Sequence, residues 1–244
     1  MRRLLITGVT SDIGIRFLAT LAASGEKCIV WGTYRRESDR LTQLRADAGN
    51  VDLRLSKVDL GSPAEVESWL DGFQYEEQPS GILHLAADKF QYMRYKDFDW
   101  ETVQSQMEIQ LHSFIQITKK FLPSMVKNRD GSIVVMLTAY TLGVPPKFMS
   151  NYIMIKYALL GLVKSIASEY AGKGVRINAV SPNMIETKFL DNLDSRMVEL
   201  NASQSAMRRN VQLEEVVNAI EFLLGEKSSY CNGVNLNLSG GDYM

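Results

Sequence analysis

Tyr152 and Lys156 stand four residues apart in the run Tyr152-Ile153-Met154-Ile155-Lys156, a spacing that puts a phenol and an ammonium on one helix face. A free tyrosine has a pKa of about 10. A nearby cation favours the phenolate and lowers that value, so a tyrosine tuned in this way can give a proton to a carbonyl oxygen or take one from an alcohol. Many surface helices carry such a pair with no chemistry attached. Here Leu159, Leu160, Val163, Ile166 and Ala167 follow and mark a buried helix, and a lysine at the start of a buried helix needs a partner. Upstream, an apolar run over 133–137 ends at Thr138. A hydroxyl at the carboxyl end of a parallel strand lies where open α/β sheets bind ligands and can hydrogen-bond a reacting oxygen. An ordinary strand-end cap would look the same.

A second feature is Thr7-Gly8-Val9-Thr10-Ser11-Asp12-Ile13-Gly14, between an apolar run over 3–7 and a helical pattern over 12–24. Gly8 lets the backbone leave a strand sharply, and Gly14 lets the helix approach the sheet closely. The free amides at the helix start then face a pyrophosphate, assisted by the helix dipole. A plain tight turn before a helix is the competing reading. Asp12 suits the positive end of a helix, but a carboxylate beside a pyrophosphate is repulsive, so it is expected to point away from the ligand.

Behind these features lies an alternation of strand and helix patterns. Apolar runs over 3–7, 28–33, 82–87, 133–137, 175–180 and 234–238, and an alternation of apolar and polar residues over 51–58, read as strands, with helical spacing over 12–24, 38–48, from Pro63, 100–125, 151–170 and 213–224. Unbroken apolar strands joined by helices predict an α/β fold, a doubly wound parallel sheet of Rossmann-like type. No linker or composition shift divides the 244 residues, so 1–244 is expected to be a single domain with a small substrate lid at about 187–210. Charged residues are 23% and apolar residues 45%, an ordinary globular balance. A net charge of −1 argues against general nucleic-acid binding. No apolar run reaches the length of a membrane span, which points to a cytoplasmic protein. Cys28 and Cys231 form no framework or zinc motif, His84 and His112 have no neighbouring ligand cluster, and no metal site is expected.

Taken in order, Thr7-Gly8-x-x-x-Asp12-Ile13-Gly14, Asp59-Leu60, Tyr152-x-x-x-Lys156, Asn178-Ala179-Val180-Ser181-Pro182-Asn183, Gly233 and Gly240-Gly241 resemble the single-domain short-chain dehydrogenases/reductases, from about Arg2 to Tyr243. The closest flavour is that of 3-oxoacyl-[acyl carrier protein] reductases. The resemblance implies a seven-stranded parallel sheet and a nicotinamide dinucleotide. Gly8, Thr10, Ser11, Asp12 and Ile13 would then lie at its phosphates, Asp59 and Leu60 would flank the adenine, and Ala86 would pack near its ribose. Ile185 and Thr187 would hold the carboxamide end. Tyr152 would be the general acid or base, and Lys156 would bind the nicotinamide ribose and depress the tyrosine pKa. The chain departs from the family pattern in several places, one being Asp12, which stands where the family's loop motif has its second glycine. Leu85-Ala86-Ala87-Asp88 replaces Asn-Asn-Ala-Gly, which removes side-chain bonds that brace the central sheet. Thr138 replaces the catalytic serine. Gln110 replaces a long-helix asparagine that helps hold a proton-relay water in relatives.

The end of strand two, Trp31-Gly32-Thr33-Tyr34-Arg35-Arg36-Glu37, has no acid at the positions that select NAD(H). Arg35 or Arg36 can meet a 2′-phosphate, with Glu37 as a competitor for them, so NADP(H) is favoured over NAD(H). The leading expectation is an NADP(H)-dependent oxidoreductase interconverting a carbonyl and a secondary alcohol, its small-molecule substrate carrier-linked in the reductase-like case. The alternatives are a degenerate dinucleotide-binding protein with a binding or regulatory role and, from Leu83-His84-Leu85-Ala86-Ala87, a nucleotide-sugar epimerase. Phe189, Leu190, Leu193, Met197, Leu200 and Met207 form an apolar lid in this reading, with Met149, Ile153 and Met154 as wall and Arg94, Arg208 and Arg209 as anchors for an acidic tail. Phe114, Ile117, Phe121, Leu159 and Val163 exceed one sheet-facing stripe and suggest a second apolar face. With the C-terminal run 234–243, that face predicts a homotetramer.

Overall fold

The computed structural model describes residues 1–73, 77–89 and 91–242; Tyr243, the end of the C-terminal run, lies outside them. Seven strands, β1 Arg2–Thr7, β2 Cys28–Tyr34, β3 Val51–Lys57, β4 Gly81–His84, β5 Gly131–Met136, β6 Val175–Pro182 and β7 Asn235–Leu238, form one sheet in the order β3-β2-β1-β4-β5-β6-β7. Every pairing is parallel. The order reverses between β1 and β4, and a crevice opens there at the carboxyl ends of the strands.

Strand periodicity divides the core into two layers. Leu5, Ile29, Ile82, Ile133 and Ile177 face one side, where they pack on Val66 and Leu70 of α3 (Pro63–Asp71), Phe114 and Phe121 of α5 (Ser113–Asn128), and Leu159 and Val163 of α6 (Ser150–Glu169). Leu4, Ile6, Val30, Leu83 and Val134 face the other. They meet Phe17 and Leu21 of α1 (Asp12–Ala23), Leu41 and Leu44 of α2 (Asp39–Asp47), and Val216 and Ile220 of α8 (Leu213–Leu224). Neighbouring residues thus point to opposite faces, both covered by helices.

Three expectations change. The pattern over 100–125 is not one helix: α4 (Trp100–Met107) passes into a π-turn, Glu108–His112, before α5. Within that wider turn the Gln110 carbonyl accepts from His84 Nε2 at 2.8 Å. Strand four stops at His84 rather than continuing to 87, because the N–H groups of Leu85 and Ala86 turn to the Thr7 side chain, at 3.1 and 3.3 Å. The second apolar face built from Phe114, Ile117, Phe121, Leu159 and Val163 is not there, since all five are buried in the chain's own core. The exposed apolar residues on α4 and α6 are Trp100, Met154 and Tyr157. The lid region is partly ordered as a 3-10 turn at Lys188–Leu190 and as α7, Ser195–Gln204.

The first crossover is the tightest. A Cβ on Gly14 would stand 2.5 Å from the Val9 carbonyl oxygen, closer than any side chain tolerates. Gly14→Ala is therefore expected to lower unfolding free energy by about 1–3 kcal/mol as α1 is pushed off the sheet. Chemical denaturation measures this, and an unchanged midpoint would refute the packing constraint.

Candidate functional site

The crevice is a cleft of about 480 Å³. Its floor is the glycine loop. Gly8 has φ +66°, a left-handed backbone that favours glycine, and its missing Cβ leaves the Ala86 backbone only 3.5 Å from where that atom would be. The Gly8 and Val9 amides donate to the side chain and carbonyl of Thr33 at 3.3 and 3.1 Å, which ties the loop to β2. Ser11 caps α1, its hydroxyl oxygen accepting from Gly14 N–H at 3.1 Å. Of the residues singled out from sequence, Gly8, Thr10, Ser11, Asp12, Ile13, Arg35, Arg36, Asp59, Leu60, Ala86, Thr138, Tyr152, Lys156, Ile185 and Thr187 all line this one cleft, and Gln110 does not. The close glycine approach and the size of the cleft fit a dinucleotide.

Helix α6 carries Tyr152 and Lys156 to the inner end. The Tyr152 hydroxyl is hydrogen-bonded to Thr138, which follows β5. Lys156 is 4% exposed, and its Nζ donates to the Met136 carbonyl at 3.0 Å and lies 5.6 Å from the centre of the Tyr152 ring. Burial pulls the Lys156 pKa down to about 7. The expectation that Lys156 depresses the tyrosine is not met in this arrangement. Burial of the phenol dominates and pushes its pKa up, with the Thr138 bond acting the other way. Tyr152 is thus held as a neutral O–H donor.

The sheet brace expected to be lost with Asn-Asn-Ala-Gly is replaced. His84 sits at 2% exposure between Thr7 Oγ1, 2.9 Å from Nδ1, and the Gln110 carbonyl. A carbonyl only accepts, so Nε2 carries the proton, Nδ1 accepts from the Thr7 hydroxyl, and the Thr7 oxygen accepts from Leu85 and Ala86 N–H. Burial lowers the His84 pKa to about 4, so the ring is neutral. Gln110 therefore contributes its backbone to this brace. Its side chain turns from the cleft to Gln106, at 3.2 Å, in a small polar cavity of about 20 Å³ behind Tyr152. The His84 signal was present in the sequence, but its partners are distant along the chain.

The mouth is ionic. Arg35 forms a bidentate pair with Asp88, at 2.6 and 3.2 Å, and Glu37 accepts from the Tyr34 hydroxyl at 2.7 Å rather than competing for the arginines. Asp12 stands in the cleft wall, bonded to Arg40 at 2.6 Å and to the Lys188 N–H at 2.8 Å. Arg40, which also lines the cleft, was missed because it lies inside the expected helix 38–48, where an arginine reads as solvated. Across the mouth Lys89 pairs with Asp191 at 3.3 Å. The inner wall is apolar: Met149, Phe189 and Leu193 line it, while Ile153, expected as wall, packs in the same cluster without lining the cleft. Of the other expected apolar residues, Leu190 lines the cleft while Met154, Met197, Leu200 and Met207 are exposed. The expected acidic-tail anchors are spent elsewhere: Arg94 pairs with Asp97, Arg208 donates to the Ser203 carbonyl, and Arg209 pairs with Glu215.

Comparison with known proteins agrees with this geometry. Residues 8–242 match the family described as Enoyl-(Acyl carrier protein) reductase. The chain is 30% identical over 245 residues to the 3-oxoacyl-[acyl-carrier-protein] reductase FabG of Escherichia coli, covering 98% of this chain and 96% of that protein. It is 27% identical over 253 residues to FabG of Thermotoga maritima, covering 97% and 96%. A solved short chain dehydrogenase/reductase family protein superposes with a TM-score of 0.86 at 28% identity, over 99% of this chain and 97% of that one.

The buried cation makes stability depend on pH. The folded pKa of Lys156, about 7, lies below its ordinary 10.5. Its contribution is therefore fully present above pH 10.5 and lost as pH falls through about 7. Lys156→Met removes that penalty. The variant is expected to be more stable than the parent by a few kcal/mol at pH 6, an advantage that fades toward pH 10.5. Denaturation at several pH values measures the difference, and a pH-independent difference would contradict the burial argument.

Proposed function

We propose, from the premise that the chain belongs to the short-chain dehydrogenase/reductase family, that this oxidoreductase uses NADPH to reduce a carrier-linked 3-oxoacyl group or a related moderately apolar ketone to the secondary alcohol. The observation that carries the reading is the meeting of Tyr152, Thr138 and Lys156 at one end of a cleft whose floor is the glycine loop. It favours a working enzyme over a non-catalytic dinucleotide binder.

A bound nicotinamide dinucleotide would supply the hydride. The Thr138 and Tyr152 hydroxyls hold the substrate carbonyl oxygen between them. As negative charge grows on that oxygen, the phenol proton passes to it. The phenol's raised pKa keeps it protonated until then, which suits the reductive direction. Lys156 stabilises the phenolate that remains and would hold the ribose. Gly8, Thr10, Ser11 and Ile13 would hold the dinucleotide's phosphates, Asp59, Leu60 and Ala86 its adenosine, and Ile185 and Thr187 its carboxamide; all of them line the cleft. Met149, Phe189 and Leu193 take the acyl chain and exclude water. Arg35 and Arg36 would meet a 2′-phosphate, at the end of a strand without a carboxylate to claim a free 2′-hydroxyl. Residues 1–244 act as one unit with the lid at 187–210. No helix among the described residues is long and apolar enough to cross a membrane, and the reading places the enzyme in the cytoplasm. Exposed Trp100, Met154 and Tyr157 supply apolar surface for a homotetramer.

NADPH oxidation with a panel of 3-oxoacyl thioesters tests the function. Tyr152→Phe is expected to lower kcat by about 10²–10⁴ while the Kd for NADPH stays within a few-fold; turnover near the parent's would overturn the assignment. Arg35→Ala with Arg36→Ala should weaken NADPH by about 1.5–3 kcal/mol per lost charge-assisted bond and leave NADH nearly unchanged. Equal losses would remove the 2′-phosphate role.

A further inference from the structure

Asp12 occupies the place of the second glycine in the family's loop motif, and a carboxylate there is a puzzle for a site that receives phosphates. Its surroundings resolve the puzzle. Oδ1 accepts from Arg40 Nη2 at 2.6 Å, and Oδ2 accepts from the backbone N–H of Lys188 at 2.8 Å. Arg40 Nη1 also donates to the Thr10 carbonyl at 2.8 Å. One carboxylate thus joins the glycine loop, the start of α2 and the first turn of the lid, three segments far apart in sequence.

This pair differs from the molecule's other ion pairs. The side chains of Arg40 and Asp12 are 25% and 23% exposed, less than either partner of any other ion pair among the described residues. Solvent screens it least, and the second bond from Thr10 fixes the guanidinium plane. A guanidinium has five N–H donors, of which Asp12 and Thr10 take two. The rest of the fork belongs to a side chain that lines the cleft beside Ser11, Arg36 and Ser38.

We infer that Asp12 is a positioning residue: it aims the Arg40 guanidinium at the phosphate-bearing end of the ligand and pins the lid at Lys188 over the same end. The inference rests on the dinucleotide reading above for its ligand, but not for its geometry. It also reverses an electrostatic expectation. A bystander carboxylate beside an anion site weakens binding, so deleting it should tighten the complex. A carboxylate that aims an arginine at the anion has the opposite effect when removed, because the arginine's aim is lost with it.

The test compares the parent with Asp12→Ala, Asp12→Asn, Arg40→Ala and the Asp12→Ala/Arg40→Ala double variant. NADPH affinity is read by fluorescence titration of the free protein. Hydrogen exchange over 187–193 is read without any ligand. Asp12→Ala is expected to raise the Kd for NADPH about tenfold, the size of one charge-assisted bond, and to speed amide exchange at the lid. The double variant should bind no more weakly than Arg40→Ala alone, because Asp12 acts through Arg40. Asp12→Asn keeps an acceptor for Lys188 and should restore lid protection but not affinity. It also serves if the alanine variant folds poorly. A tighter or unchanged Kd in Asp12→Ala, or unchanged lid exchange, overturns the inference. If the parent binds neither NADPH nor NADH, the dinucleotide reading fails, and the exchange data alone decide whether Asp12 pins the lid.

Discussion

A buried imidazole with an unpaired nitrogen costs about 1–3 kcal/mol, and a buried charged ring costs more, so His84 constrains everything it touches. Its two nitrogens demand one acceptor and one donor. The acceptor is the Gln110 carbonyl, which lies within the π-turn. The donor is the Thr7 hydroxyl, whose oxygen in turn accepts the first two amides beyond β4. One neutral ring therefore ties together the end of β4, the interruption of the long helix and the way the backbone at Leu85 and Ala86 leaves the sheet. That backbone forms the cleft wall opposite Gly8.

The same burial logic governs the reactive pair, with a different outcome. Lys156 has its ammonium on the Met136 carbonyl, and among the described residues no carboxylate shifts it, so burial draws its pKa down to about 7. Tyr152 is pushed the other way. Desolvation disfavours the charged form of each, and both sit closer to neutral than free side chains would. A site in this condition is costly to build and responsive to charge. Any negative charge developing beside Lys156 is stabilised by a cation that water screens poorly. This is why a pair that looks like ordinary surface spacing acquires chemical meaning only when it is buried.

The sheet and the cleft-lining set were legible because they rest on local signals. Apolar runs, the Gly8 and Gly14 turn and the four-residue spacing of Tyr152 and Lys156 each fix structure within a few residues. What escaped depends on long-range partners. A helical period over 100–125 carries no mark of a π-turn whose partner is a histidine on a distant strand. Phe114 and Phe121 read as surplus apolar residues until the sheet beneath them is seen to need both. Arg35 lies where a 2′-phosphate reader was expected, but only the fold brings Asp88 to it. Arg40 and Asp12 are 28 residues apart, and no periodicity joins them.

The two ends of the cleft also differ in kind, which gives a ligand a direction. Arg35, Arg36 and Arg40 crowd the mouth, while Asp12 and Asp88 each hold one guanidinium and leave Arg36 beside them. Met149, Phe189 and Leu193 make the inner wall apolar around Tyr152. An anionic group is drawn to the first end and desolvated poorly at the second, and an alkyl chain has the reverse preference. A molecule with phosphates at one end is thereby oriented before any specific bond forms, its uncharged end toward the phenol. The acidic partners sharpen that selection. They keep the mouth from being a general anion trap, since an incoming phosphate must offer Arg35 and Arg40 more than the carboxylates already give them.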